Sequence, residues 1–218
     1  MPPPSQTVSA LRSLLAVRFP ERARRPCGGV PAAVRPIDEA LGGGLPAGRL
    51  TELVSAVPSG GGQTVLARLL EATQAARQRM ALVDGADGFA PEAVPAGALR
   101  HLVWVRCRAP EQAFAAADIL VRDGNYAAVV LDLRGCAERS LRRTPASAWY
   151  RLQRAAEGCS AAVLVQTTCP LVPAVPWRLV LDSPLPLADA GAAREAVADR
   201  LAVRTERSHA LAALELAG

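Results

Sequence analysis

The residues with the types to handle a phosphate group gather first in the stretch Val57-Pro58-Ser59-Gly60-Gly61-Gly62-Gln63-Thr64. A glycine-rich loop between an apolar strand and a helix aims backbone N–H groups at phosphate oxygens, and a neighbouring lysine neutralises them. Aligned so that Gly-x-x-x-x-Gly-Lys-Thr ends at Thr64, this chain has Val57 for the first glycine and Gln63 for the lysine. Only Gly62 and Thr64 remain. No lysine can be borrowed from elsewhere, because all 25 basic residues are arginine. Losing one charge-assisted contact to phosphate costs about 1.5–3 kcal/mol. Catalysis suffers more, since the lysine also stabilises charge that builds in the transition state. Arg68, more than a turn into the following helix, is a poor substitute.

Two further polar residues end apolar runs: Asp132 after 126–131, and Gln166 after 161–165. Beyond Asp132 lies a basic segment with Arg134, Arg139, Arg142 and Arg143, which reads either as a phosphate-contacting loop, and so a candidate for weak DNA binding, or as a merely solvated one. The five cysteines are scattered without a Cys-x-x-Cys pair, and His101 and His209 stand alone, so neither a disulfide framework nor a metal site is expected.

The elements that position these residues alternate. The apolar run 50–55 leads into the loop, with a helix expected from Thr64 over 65–79. A strand at 80–83 stops at Asp84-Gly85, followed by a strand at 101–105 and a helix at 111–121. The clearest strand is 126–132, ahead of a helix at about 145–157. Strands at 161–165 and 177–182 follow, and 200–205 with 210–216 reads as a hairpin, the second segment with a helical alternative. Residues 187–198 are polar, alanine-rich and poorly determined. Such alternation predicts an α/β sandwich with a mostly parallel central sheet, antiparallel C-terminal additions and an N-terminal helical arm. The arm occupies residues 1–27 and the core 28–218. In the arm, Val8, Leu11, Leu14, Leu15 and Val17 recur at helical spacing up to Phe19-Pro20. A helix this short must dock on its own core or on a neighbouring subunit, which makes Leu11, Leu14, Leu15 and Phe19 candidates for self-association or partner contact.

Half of the residues are hydrophobic and 4% aromatic, enough for a sizeable aliphatic core. No run reaches the roughly 18–20 apolar residues of a membrane helix, and the start lacks a signal pattern, so a cytoplasmic location is expected. A net charge of +5 is mild for 218 residues and permits phosphate or carboxylate partners without requiring them.

The order of loop, helix and strands ending in Asp84, Asp132 and Gln166 resembles the RecA-like core of recombinases. The most specific match is Gly43-Gly44-Leu45-Pro46-Ala47-Gly48-Arg49-Leu50-Thr51-Glu52-Leu53, similar to that family's stretch leading into its phosphate loop. The tract 81–84 resembles the strand before the family's catalytic glutamate, whose place falls on Ala86 or Asp87 depending on register. The tract 129–132 looks like its Walker B strand, and 163–166 like the strand ending in its nucleotide-sensing glutamine. The resemblance covers roughly residues 36–182, and Phe19 resembles the phenylalanine by which such subunits dock; it equally fits a fold onto its own core.

Among relatives that do not hydrolyse nucleotide, the chain looks most like the ImuA type of SOS mutagenesis cassettes, in size, in Val17-Arg18-Phe19-Pro20 and in the degenerate loop. The resemblance implies a non-catalytic protein of translesion synthesis that acts through RecA, ImuB and an error-prone replicative-type polymerase. It further implies no cofactor, no catalytic residue, and a vestigial nucleotide site at Gly62, Gln63, Thr64, Asp132 and Gln166. The segment 167–176, compact and proline-rich, lacks the length and polarity of a mobile DNA-gripping loop. The alternatives are a divergent DNA-dependent ATPase using arginine where lysine is usual, and a SulA-type cell-division inhibitor.

Overall fold

The computed structural model describes residues 29–207. A small antiparallel pair, β1 (Gly29–Val30) and β2 (Leu45–Pro46), brackets α1 (Arg35–Ala40). The chain then runs through β3 (Leu50–Ser55), α2 (Gly62–Ala75), β4 (Met80–Asp84), α3 (Ala96–Leu99), β5 (Leu102–Arg106) and α4 (Pro110–Asp123). It continues with β6 (Ala128–Asp132), α5 (Glu138–Arg142), α6 (Ala146–Glu157), β7 (Ala162–Thr167), β8 (Trp177–Leu181), α7 (Arg194–Ala198) and β9 (Arg204–Arg207).

Strands β3, β4, β6 and β7 are buried at every position, because both faces of the sheet are covered. Side chains alternate between the two cores. Met80, Leu82, Val130 and Leu164 pack toward Leu66, Leu69 and Leu70 of α2. Ala81, Val83, Leu131 and Val165 pack on the opposite side with Phe114 of α4 and Trp149 and Leu152 of α6. Phe114 and Trp149 meet edge to face, with ring centroids 4.6 Å apart, which locks α4 to α6.

The sheet order is β5-β4-β6-β7-β3-β8-β9, parallel except for β9. The chain leaves β3 for α2 on one face and leaves β6 for α6 on the other. A crevice therefore opens beyond the carboxyl ends of β3, β7 and β6, where ligands settle in open α/β sheets. The register aligns Gln166 with both Asp132 and Leu53, so the loop after β3 and the end of β6 flank Gln166.

The expected α/β architecture with a mostly parallel sheet is the one observed, with local corrections. Helix α2 opens at Gly62, two residues before Thr64, and ends at Ala75; Arg77 beyond it has a φ of 56°, outside helical space. The basic segment after Asp132 contains helix α5, and the undetermined stretch 187–198 contains α7. Of the expected C-terminal hairpin the first segment is β9, which pairs antiparallel with β8, Trp177 opposite Arg207 and Val180 opposite Arg204. Segment 210–216 lies outside the described residues, as do Leu11, Leu14, Leu15 and Phe19 of the arm. Among the described residues no helix is long and apolar enough to cross a membrane.

Candidate functional site

At the carboxyl end of β3 the loop 56–61 wraps a cavity of about 550 Å³, lined in part by Ser55, Gln63, Thr64, Arg134, Thr168 and Leu185. The volume lies within the range of small-molecule sites, roughly 300–1,000 Å³. Ser59 and Gly61 both adopt left-handed conformations, φ 58° and 97°, which turn the chain into α2. Side-chain capping is absent at Gly61, and the amides of Gly61, Gly62, Gln63 and Thr64 meet no acceptor among the described residues. Unpaired N–H groups at the start of a helix this long carry partial positive charge.

The expected site residues Gly62, Gln63, Thr64, Asp132 and Gln166 come together here. Gln166 is fully buried and its Nε2 donates to the Gly62 carbonyl at 3.3 Å, which ties β7 to the helix start. Asp132, at the end of β6, does not face an open cavity. Its carboxylate is gripped by Arg134, with Nε donating to Oδ1 at 2.9 Å and Nη2 to Oδ2 at 2.5 Å. The Arg134 amide also donates to Oδ1, at 3.1 Å. From there Nη2 reaches Oε1 of Gln63 at 3.1 Å, so the guanidinium bridges the acidic strand end to the residue in the lysine place. Its Nη1 lies against Gly62: a Cβ on that glycine would sit 2.5 Å from it and 2.5 Å from Ser55 Oγ.

Arg134 is thus withdrawn from the basic surface to which its sequence neighbours assign it, and its guanidinium is directed into the loop. Of the other three arginines of that segment, Arg142 pairs with Glu138 on α5 at 2.6 Å. Arg139 and Arg143 are exposed and make no ion pair among the described residues. Arg68 turns away from the loop, onto Glu71 and the Ala33 carbonyl.

The residues at the catalytic-glutamate position are not directed into the site. Asp84 is a structural carboxylate: it accepts from the amides of Gly88 at 3.0 Å and Phe89 at 2.9 Å and from Trp104 Nε1 at 3.3 Å. Asp87, in the turn that Asp84 caps, pairs with Arg106 on the edge strand β5, and that guanidinium holds its carboxyl below the ordinary carboxylate value. Ala86 has no group to offer.

Sequence reasoning missed a third buried carboxylate, after Asp84 and Asp132. Glu52 on β3 is 0% exposed and accepts from Leu171 N at 2.7 Å, Val172 N at 3.1 Å, Thr167 Oγ1 at 3.3 Å and Arg178 Nε at 2.6 Å. It fixes the segment after β7 against the sheet, which gives that proline-rich stretch a structural job. A charged residue inside an apolar strand was the available signal, since a buried carboxylate requires partners.

A divalent metal with a nucleotide fits this arrangement poorly. Both Asp132 oxygens are engaged by a guanidinium whose charge would repel a metal ion, and the same guanidinium reaches Gln63 beside the loop. Among the described residues no group of three or more His, Cys, Asp or Glu side chains is placed to hold a metal. Neither a protein-family model nor a curated protein matches the chain.

Proposed function

We propose that the chain is a non-catalytic RecA-like accessory protein of SOS-induced translesion mutagenesis, acting through contacts with RecA, ImuB and an error-prone polymerase. The observation that carries the non-catalytic part is the Arg134 guanidinium lodged between Asp132 and Gln63, which engages both oxygens of the carboxylate that a nucleotide's metal would use. The outward turn of Asp87 onto Arg106 supports the same reading, because that carboxylate is then engaged away from the loop. The sheet order supports the RecA-like part, since it brings the loop, Asp132 and Gln166 together at one end of the sheet. The cellular role rests on the resemblance of the segment 43–53 and the degenerate loop. Exposed Arg139 and Arg143 leave room for a weak, salt-sensitive contact with DNA.

The test is made on the full chain. ATP hydrolysis is assayed with and without single-stranded DNA, and the chain is used to capture purified RecA and ImuB. The reading expects no turnover above background and retention of at least one partner. Turnover stimulated by DNA and lost in Asp132→Ala overturns it in favour of the divergent ATPase.

A further inference from the structure

The loop at the start of α2 has lost the parts for a nucleotide and its metal, yet it remains built for a smaller charge. Four backbone amides at a helix N-terminus point into it without acceptors among the described residues. Independently, Ser55 is only 9% exposed, lines the same cavity, and its Oγ has no hydrogen-bond partner. Gln63 Nε2 is likewise buried and unpartnered beside it. Buried polar atoms left unpaired are costly, and both residues line the same cavity as the free amides.

We propose that this loop is a metal-independent site for one small oxyanion of the phosphate type, served by Arg134 as its cation, with Asp132 acting as counter-ion to that arginine. The charges set the ligand class. Arg134 and Asp132 cancel, which leaves about half a positive charge from the helix end. A triphosphate with its several negative charges is far from balanced by that, whereas a single phosphate group is served by Arg134 Nη1, the Ser55 hydroxyl and the loop amides together. Nη1 is the guanidinium nitrogen that makes no bond to Asp132 or Gln63, and it lies beside Gly62 at the loop. In this arrangement Asp132 is no metal ligand but a brake on the anion site. This inference rests on the reading of the loop as non-catalytic.

The consequence is a change of sign. In a metal–nucleotide site, neutralising the strand-end aspartate weakens binding. Here Asp132→Asn releases the full charge of Arg134 toward the loop and raises phosphate affinity about tenfold, the worth of one charge-assisted hydrogen bond. The experiment titrates inorganic phosphate into the full chain in phosphate-free buffer, followed by amide NMR shifts, once with EDTA and once with magnesium. The expected result is movement of the Gly61 to Thr64 amides with the same affinity in both, tighter in Asp132→Asn and several-fold weaker in Ser55→Ala. An ADP arm without metal distinguishes sources: competition at the same amides identifies a nucleotide's terminal phosphate, and its absence identifies the free anion.

No response to phosphate in the tens of millimolar, a response only with magnesium, or weaker binding in Asp132→Asn overturns the proposal. Should Asp132→Asn fail to fold, the metal comparison and Ser55→Ala decide. ATP turnover on the same samples separates the two claims. Turnover defeats the non-catalytic reading, whereas silence toward phosphate without turnover defeats this inference alone.

Discussion

Arg134 Nη2 stands 3.1 Å from Gln63 Oε1, joining residues 71 positions apart at the point where a phosphate-binding loop carries its lysine. The glutamine is more than a lost lysine. It is the acceptor that lets a guanidinium share the loop, and a second cation at that position would face the first.

A lysine at position 63 would therefore crowd the guanidinium already at the loop. Gln63→Lys is expected to lower stability by roughly 1–2 kcal/mol, because two like charges then compete for Asp132 in a partly buried site. The urea midpoint reads this, and an ATPase assay is expected to remain at background. Adding Arg134→Ala to Gln63→Lys removes the repulsion and recovers part of the loss. An unchanged midpoint in the single variant would show that the two side chains do not share the loop.

Glu52 is the strongest structural prediction, since Arg178 and two backbone amides of the segment after β7 depend on one fully buried carboxylate. Removing one member of a buried pair strands the other, at a cost of about 3–5 kcal/mol. Glu52→Ala is thus expected to bring the chain close to global unfolding. Hydrogen exchange in the surviving folded fraction should show the amides of Leu171 and Val172 losing protection first. A midpoint within experimental error of the parent would mean that the carboxylate is dispensable.

Much of the fold was legible because the central strands are buried on both faces and so appear as continuous apolar runs ending in a polar residue. Asp84, Asp132 and Gln166 marked those ends. The direction in which a polar side chain turns was not legible. Asp132 and Arg134, two apart at a strand end, can lie on one side of the chain, and that spacing was the available signal for the ion pair. Whether Arg134 folded back or joined Arg139 and Arg143 in solvent depended on Gln63, far away in sequence. Asp87 is similar: its outward turn is set by Arg106 on a neighbouring strand. The short β1, β2 and α1 carry too few residues for any periodicity to show.

The Asp87–Arg106 pair gives a pH dependence. Arg106 lowers the folded value of Asp87 below 3.8, so the pair stabilises the folded state above the unfolded value, and that contribution is lost as pH falls through the folded one. The stability difference between the parent and Asp87→Asn should be level from neutrality to about pH 5 and shrink below about pH 4. Urea unfolding at a series of pH values measures it, and a difference that grows on acidification contradicts the pairing.

Cys136 predicts the opposite limb. Burial, aided by the Asp132 charge, pushes its thiol from 9.0 to about 11. The folded state therefore keeps a proton that the unfolded chain releases, and stability declines as pH rises past 9.0 toward 11. Alkylation of Cys136 at pH 8, followed by peptide mass spectrometry, should be about a hundredfold slower in the folded chain than in urea, in proportion to the thiolate fraction. Equal rates would place the thiol in open solvent.

Gly62→Ala sets two effects of opposite sign against each other. Gly62 begins α2 outside the left-handed region, and in a helix alanine is favoured over glycine by about 0.8–1 kcal/mol. The added Cβ, however, would lie 2.5 Å from both Arg134 Nη1 and Ser55 Oγ. Arg134 must then move, and its bidentate hold on a nearly buried Asp132 is broken or bent. The second effect is expected to win, with a net loss of about 1–2 kcal/mol in urea unfolding. A double-mutant cycle with Arg134→Ala isolates the reason: in that background most of the guanidinium clash is gone, so the penalty of Gly62→Ala should shrink and the two changes should couple by about 1 kcal/mol or more. A Gly62→Ala variant more stable than its parent would mean that helix propensity prevails and that Arg134 is not held against the loop.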